Sequence, residues 1–114
     1  MPDTKAVGGL SLTTSLQTLV TNTAADAKIR SYVLDFVNID GVNAADITQC
    51  IWIDSSASNA QRPILPVNTT VRPGRDGALS REFILDPGDS IQVSASAAGD
   101  IYATVLQVYE EPSA

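Results

Sequence analysis

Two pairs of carboxylates come nearest to acid–base chemistry in this chain. Asp86 and Asp89 flank a Pro-Gly turn. Glu110 and Glu111 are neighbours at the end of the final predicted strand. Acid–base cleavage of glycosides needs two carboxyl groups whose environments separate their pKa values. Formation of a surface turn explains the first pair and solvation of a charged tail explains the second, so we predict no catalytic residue at either position.

The chain contains no histidine and a single cysteine, Cys50. This composition excludes Ser-His-Asp and Cys-His catalysis, a histidine metal ligand and an internal disulfide. Cys50 lies beside apolar neighbours, with no activating cation or base nearby in the sequence. That setting predicts a buried thiol that packs as a small hydrophobic group. We therefore expect no enzyme activity and no cofactor.

Three oxygen-bearing side chains, Asp40, Asn43 and Asp46, follow a predicted strand and are of the type that calcium prefers. Their spacing matches no calcium-binding motif. Short polar side chains that bond their own backbone are typical of turns. We therefore interpret this segment as an Asx-rich connection and predict no metal site.

A set of aromatic residues suggests a platform on which sugar rings could stack. Packing in the core or at an interface is the alternative for each of them. A carbohydrate-binding module needs exposed ring faces, so burial of the single tryptophan would argue strongly against that reading. The residues concerned are Trp52, Tyr32, Tyr102 and Tyr109.

The loop Arg72–Gly77, RPGRDG, carries two arginines and an aspartate. It contains Gly-Arg-Asp and not the adhesion tripeptide Arg-Gly-Asp, so no integrin-binding role follows. As a plain loop it needs no function. As a contact, Arg72 and Arg75 would suit ion pairs with acidic residues of a neighbouring subunit, with Asp76 beside them.

The overall composition describes a small acidic protein of one domain. Its 114 residues, with 44% hydrophobic residues, suffice for one core. The net charge of −6 argues against nucleic acid as a direct partner, because binding to phosphates depends on Lys and Arg. The sequence has no apolar run of about 18 residues and no secretory signal pattern, so we expect no membrane association and synthesis in a cytoplasm.

Extended segments separated by turn residues predict an all-β fold. The pattern favours a single antiparallel β-sandwich of about seven strands, jelly-roll or immunoglobulin-like. Residues 1–9, which include Pro2 and the Gly8–Gly9 pair, are predicted to form an extended N-terminal arm. Residues 10–111 are assigned to the sandwich domain and residues 112–114 to a C-terminal tail. The predicted strands cover residues 10–21, 29–39, 47–53, a short or edge segment within 64–77, 78–85, 90–96 and 101–109, with a polar loop at 54–63.

Alternation within two of these strands predicts which side chains face the core. The strand 90–96 alternates cleanly and should turn Ile91, Val93 and Ala95 inward. The strand 29–39 is apolar at both parities. Such a strand is typically central in its sheet or covered on both faces.

A third strand, from Ile47 to Ile53, shows a similar division. Ile51 is an even number of residues from Ile47 and from Ile53. Cys50 and Trp52 are an odd number of residues from them. We therefore expect the three isoleucines on one face and Cys50 with Trp52 on the opposite face.

The stretch LDPGDSIQVSASAAGDIYATVLQVYEE, residues 85–111, predicts a β-hairpin whose two strands both alternate. It resembles the C-terminal hairpin of small virion proteins of tailed bacteriophages and gene transfer agents. IRSYVLDFVNIDG followed by ITQCIWIDSS is similar to the middle of such proteins. The resemblance covers residues 29–111 and lies in folding signals, so it transfers no functional residues.

The resemblance implies a non-enzymatic virion structural protein, most simply a capsid decoration (cement) or head-spike-base subunit. Its partners would be capsid or other virion proteins, and it would form a homo-oligomer such as a trimer or pentamer in the virion. A neck or tail component and a carbohydrate-binding, host-adhesion module are the alternatives. The contact residues predicted for the arm and the loop are Pro2, Lys5, Arg72, Arg75 and Asp76.

Overall fold

The computed structural model describes residues 5–74 and 77–112, and these residues form β-strands, their connections and a short 3-10 helix at Ser55–Ala57. Two antiparallel sheets pack face to face as a sandwich, which confirms the predicted fold class. The strands are β1 (Lys5–Ser11), β2 (Gln17–Thr21), β3 (Lys28–Asn38), β4 (Ala45–Asp54), β5 (Ala60–Leu65), β6 (Thr69–Val71), β7 (Leu79–Leu85), β8 (Ser90–Ala95) and β9 (Ile101–Pro112).

The two sheets have the strand orders β1-β9-β3-β7, here called the front sheet, and β2-β8-β4-β5, the back sheet. β6 extends the back sheet by pairing with the first residues of β4. Every pairing between strands is antiparallel. Most connections cross from one sheet to the other, and β4 and β5 are the one consecutive pair joined as a hairpin among the described strands.

The core lies between the sheets and is built from the inward positions of β3, β8 and β9. Ile91, Val93 and Ala95 are buried, as their alternation predicted. In β3 the residues Tyr32, Leu34 and Phe36 point into the core. β3 is central in the front sheet, as expected. Its outer face is open to solvent, so apolar side chains on that face, such as Val37, are exposed.

A β-bulge changes the expected faces of β4. The register of β4 against β8 shifts between Ile47 and Gln49. Ile47 is therefore buried on the same side as Cys50 and Trp52, which pair with inward positions of β8. The prediction that grouped Ile47 with Ile51 was wrong, because one extra residue in a strand reverses the parity beyond it.

The predicted strand 10–21 is divided in the structure. β1 ends at Ser11, and the chain crosses to the back sheet before β2 begins at Gln17. Leu12 is buried within this crossing, and its amide donates to the carbonyl of Ile101 at 2.9 Å. β5 begins at Ala60, inside the segment 54–63 that was predicted to be a loop. For these two reasons the structure has more described strands than the seven expected.

Part of the predicted arm also forms a strand. Residues 5–9 belong to β1 and pair with β9, and a bulge between Ala6 and Gly8 accommodates the glycine pair. At the other end of the chain, β9 continues to Pro112, which lies opposite Lys28. The division into arm, sandwich domain and tail stays a prediction, but regular structure begins earlier than glycine content suggested.

The segment 85–111 is not a hairpin, contrary to the prediction. Its two strands belong to different sheets, because β8 lies in the back sheet and β9 in the front sheet. The connection between them is tied to both sheets: Ser96 N donates to Asp46 O at 2.9 Å, and Ile39 N donates to Asp100 O at 2.7 Å. Turn residues predict a reversal of the chain. They do not predict whether the next strand pairs with the previous one in the same sheet or lies in the opposite sheet.

The turn from β7 to β8 forms where Asp86-Pro87-Gly88-Asp89 predicts it. Gly88 has a φ of +89°, which side-chain-bearing L-residues rarely adopt. The amide of Asp89 donates to the carbonyl of Asp86 at 3.1 Å, which closes the turn. Separately, no helix in residues 5–74 and 77–112 is long and apolar enough to cross a membrane.

Adjacent residues of β3 provide a test of this packing. Phe36 is fully buried, whereas its neighbour Val37 is 43% exposed on the outer face. Phe36→Ala should lower the free energy of unfolding by about 3–5 kcal/mol, because it removes buried contacts and leaves a cavity. Val37→Ala, the matched control, should lower it by less than about 1 kcal/mol. Urea unfolding measures both; equal losses would contradict the assigned faces.

Candidate functional site

The carboxylate pair beside the β7–β8 turn does not form an acid–base site. Asp89 is fully buried, and its side chain accepts from Trp52 Nε1 at 2.9 Å and from the amide and hydroxyl of Ser55 at 2.9 and 2.8 Å. The amide of Asp86 donates to the same carboxylate at 3.3 Å, while the Asp86 side chain faces solvent. Asp89 thus joins the turn to β4, which is a structural role.

Trp52 is only partly exposed, and its ring and its indole N–H both contact neighbouring side chains. Its ring centroid lies 5.5 Å from that of Phe83, across the two sheets, and the Arg62 guanidinium lies 5.5 Å from the Trp52 ring centroid. Its indole N–H is taken by Asp89. A second guanidinium, that of Arg81, lies 5.6 Å from the Phe83 centroid. Of the two readings considered for Trp52, sugar stacking and packing, the contacts favour packing at this edge of the sandwich.

Around Arg30, charged side chains join β3 to the β2–β3 connection and to β9. The buried guanidinium donates to Asn22 Oδ1 at 2.6 Å, to Asp26 in a two-point contact, and to Glu110 Oε2 at 3.0 Å. Lys28 Nζ lies 3.4 Å from the other oxygen of Glu110. Glu110 belongs to the second carboxylate pair considered in the sequence. In the structure it is the ion-pair partner of Arg30 and Lys28, which is a structural role and not that of a general acid.

The charges of this cluster shift the pKa values of its members. The hydrogen bond from Arg30 holds the pKa of Asp26 below its usual value. Desolvation alone would raise the pKa of Glu110, but the hydrogen bond from Arg30 and the attraction of Lys28 outweigh it and lower the value. The hydrogen bond to Asp26 in turn raises the pKa of Arg30. Both carboxylates therefore stay ionised at neutral pH, which suits ion pairing.

The side-chain amide of Asn38 organises the Asx-rich segment after β3. Asn38 Oδ1 accepts from the amide of Asp40 at 2.8 Å, and Asn38 Nδ2 donates to Asn43 O at 2.8 Å. Asp46 instead accepts from the Thr70 hydroxyl at 2.8 Å. No group of three potential metal-ligating acidic or cysteine side chains occurs in residues 5–74 and 77–112.

Cys50 is 1% exposed and lies in the core between the sheets. Burial raises the pKa of its thiol to about 12, so the reactive thiolate is scarce at neutral pH. The interpretation of Cys50 as a small packed hydrophobic group agrees with this position.

The predicted contact residues are dispersed. Lys5 is exposed on β1, opposite Gln107. Arg72 is exposed after β6, next to Pro73, which bridges to the end of β3 at Asn38. These two positions lie near opposite ends of the sandwich and do not form one site. The three other predicted contacts, Pro2, Arg75 and Asp76, lie outside the described residues.

A shallow groove on the outer face of the front sheet is the arrangement that sequence reasoning missed. It has a volume of about 360 Å³ and is lined by residues of β1, β9 and β3 that include Gly9, Tyr102, Thr104 and Asp35. Thr104 is opposite Gly9 on one side and Asp35 on the other. Two signals were present in the sequence: the glycine pair in β1, which was attributed to an irregular arm, and Tyr102, which was named among the aromatic residues that could stack on sugar rings.

Acid should weaken the fold through the cluster around Arg30. Because the pKa values of Asp26 and Glu110 lie below their ordinary values of 3.8 and 4.5, the unfolded chain takes up protons first as the pH falls. The stability that these carboxylates contribute is fully present above those ordinary values and is lost as the pH falls through the lower folded-state values. We expect urea titrations between about pH 6 and about pH 2.5 to show this loss.

Two arginine variants separate this cluster from a general effect of acid. Arg30→Gln removes the cation that both carboxylates share and should flatten the pH dependence. Arg62→Gln removes a more exposed guanidinium, 3.4 Å from Asp54, and should keep the wild-type dependence. An unchanged slope in Arg30→Gln would contradict the role assigned to the cluster.

Comparison with known proteins adds one structural likeness. No family model matches the chain, and no curated protein matches it either. Its fold is similar to a solved structure described as "Bacillus endospore appendages form a novel family of disulfide-linked pili", with a TM-score of 0.56 and 10% sequence identity over 97% of this chain and 88% of that chain. At this identity the likeness concerns the β-sandwich fold alone, and it lends no specific support to the resemblance to phage virion proteins.

Proposed function

We propose that the chain is a non-enzymatic structural subunit that assembles with further copies of itself through the open edges of its front sheet. The observation that carries this proposal is the pair of edge strands, β1 and β7, each of which pairs on one side only within residues 5–74 and 77–112. Neither strand contains proline, and most residues of both are exposed. Unpaired backbone donors and acceptors along such an edge are a template for pairing with another chain.

The strand directions of the front sheet suit a head-to-tail contact. The sheet has four strands in alternating directions, so β1 and β7 run antiparallel to each other. A copy displaced sideways therefore brings its β1 antiparallel to β7 of the first copy and continues the same pattern. The back sheet is less suited, because its edge strand β5 contains Pro63. A head-to-tail contact generates rings when it closes and filaments when it does not.

The structural neighbour supports an assembling role. That protein is described as belonging to appendages that are pili, so a sandwich of this shape serves there within an assembled structure. By analogy, this chain would act in an assembled structure outside the cell or in a virion. The exposed Lys5 on β1 and Arg72 after β6 stay proposed contact residues within such an assembly.

We further propose that the subunit belongs to a phage virion, as a capsid decoration or spike-base protein. A neck or tail component is the alternative. Its support is the resemblance of residues 29–111 to virion proteins. A closed ring of a few copies, a trimer or pentamer, would favour a position on a capsid axis. An open filament would favour an appendage.

The link between subunits in this proposal does not depend on a disulfide, unlike the pili of the structural neighbour as they are described. The chain's single cysteine, Cys50, is enclosed in the core and cannot reach another folded subunit. Backbone pairing and side-chain contacts along the edges would supply the contact.

Thiol chemistry tests this point. Cys50 in the folded protein should not react with a thiol reagent such as DTNB at neutral pH, whereas the denatured chain should react with one equivalent. Assembly should be unchanged by reductant and by Cys50→Ala. Dissociation of the assembly on addition of reductant would contradict the proposal.

Lysine substitutions at the two edges test the assembly itself. Val7 on β1 and Ile84 on β7 are 44% and 61% exposed, and replacing either apolar side chain with lysine adds a charge that opposes pairing along that edge. Val7→Lys and Ile84→Lys should each reduce the native mass measured by light scattering over a concentration series. Val67→Lys, at a residue 64% exposed in the β5–β6 loop, is the matched control and should assemble normally.

Mixing the two edge variants shows whether the contact is head-to-tail. The Val7→Lys protein keeps an intact β7 edge and the Ile84→Lys protein keeps an intact β1 edge, so the mixture should form dimers with one copy of each and nothing larger. A strict monomer for the unmodified protein at every concentration would overturn the proposed function. If Val67→Lys lost assembly to the same extent as the edge variants, the contact between copies could not be assigned to the β1 and β7 edges.

A further inference from the structure

We propose that the groove on the outer face of the front sheet binds a neutral, β-linked oligosaccharide, with the ring of Tyr102 stacked against one pyranose. This is a ligand site on a sheet face, separate from the edges through which copies would join. The site is composed of Tyr102 and Thr104 on β9, Asp35 on β3 and Gly9 on β1.

Tyr102 packs closely against β1 because Gly9 has no side chain. A Cβ atom at Gly9 would stand 2.6 Å from the Tyr102 hydroxyl and 2.7 Å from ring atom Cε1, closer than any side chain tolerates. The ring therefore rests across the backbone of β1, and it remains 39% exposed. A ring supported from below and open above is the geometry that stacks on the apolar C–H face of a sugar.

Polar groups without partners surround the ring. Asp35 and Thr104 are directly opposite each other on β3 and β9, which places their Cβ atoms roughly 5 Å apart on the same face. No hydrogen bond or ion pair joins either side chain to another residue in the part of the chain that the structure describes. Asp35 is only half exposed, so a ligand that supplies hydroxyl groups would satisfy a carboxylate that the protein leaves unbonded.

Charge and shape narrow the class of saccharide. The charged residues of the described outer face near the groove, Asp35 and Glu82, are both acidic, which disfavours sialylated, sulfated or uronic-acid chains. The groove is shallow and lies across three extended strands. Chains of β-1,4-linked glucose or N-acetylglucosamine are extended ribbons with equatorial hydroxyl groups, and they match this surface better than the helical α-1,4-linked chains.

The proposed site explains why β1 contains two adjacent glycines, Gly8 and Gly9. Glycine inside a strand weakens the strand and often marks a close approach by a ligand or another backbone. Gly9 accommodates the Tyr102 ring, and Gly8 lines the same groove without adding bulk. A contact between copies along the edges of β1 and β7 would leave this face open, so ligand binding and assembly are compatible.

Titration with two probes tests the proposal on the full chain. Cellopentaose and chitopentaose are added separately, and binding is followed by calorimetry and by the amide signals of Gly9 and Thr104 in ¹H–¹⁵N spectra. We expect saturable binding of at least one probe with a dissociation constant of about 1 mM or tighter. Maltopentaose, the α-linked control, should bind at least about tenfold more weakly.

Matched variants separate stacking from non-specific binding. Tyr102→Ala should weaken binding about tenfold or more, while Tyr102→Phe keeps the ring and should bind nearly as the wild type. Tyr109→Ala, at an exposed tyrosine outside the groove, should leave binding unchanged. Gly9→Val offers a second route, because its side chain would displace the Tyr102 ring while the exposed edge strand stays folded, and it should also weaken binding.

Several results would overturn the proposal. They are the absence of saturable binding of both probes up to about 10 mM, ten times the expected constant, equal binding of maltopentaose, and binding that Tyr102→Ala does not change. None of these results bears on the native mass of the edge variants, so this site and the proposed assembly fail or succeed separately.

Discussion

A buried carboxylate at the start of β8 is the constraint on which one end of the sandwich depends. Asp89 accepts from Trp52 and Ser55 of the back-sheet side, and its backbone carbonyl accepts from the amide of Asn22 at 2.8 Å. Asn22 in turn donates from Nδ2 to Lys28 O and Leu85 O in the front sheet. Both residues are fully buried and their polar groups are satisfied, so the network specifies one arrangement of the two sheets, because each lost partner would leave a costly unpaired group.

With the sheets held in this way, the two proposed contacts use different surfaces of the molecule. The interior is filled by apolar side chains, many of them from β3, β8 and β9. The edges of the front sheet carry unpaired backbone groups that suit a repeating contact with other copies. The outer face of the same sheet carries a tyrosine and a carboxylate that suit a small polar ligand. Strand order therefore separates the contact with other copies from the contact with a ligand.

The sequence predicted the fold class well because its signals were local. Alternation located β8 correctly, with Ile91 and Val93 inward, and the Pro87-Gly88 turn formed as expected. What it missed depends on contacts between distant segments. The parity of Ile47 depends on a bulge against β8, and the placement of β8 and β9 in different sheets depends on which strands pair. The groove was hidden because Gly9 and Tyr102 lie far apart in the chain and meet only when β1 pairs with β9.

The position of β9 has a consequence for how the protein is made. β9 lies inside the front sheet, between β1 and β3, yet it follows the eight other described strands in the chain. A nascent chain emerging from the ribosome, at roughly 5–20 residues per second, therefore cannot close the front sheet until these twelve residues appear. Until then β1 and β3 expose inward apolar positions to solvent. Synthesis and folding of this sandwich are consequently coupled at its latest step, and a ribosome that stalls before β9 releases a chain that chaperones or proteases must handle.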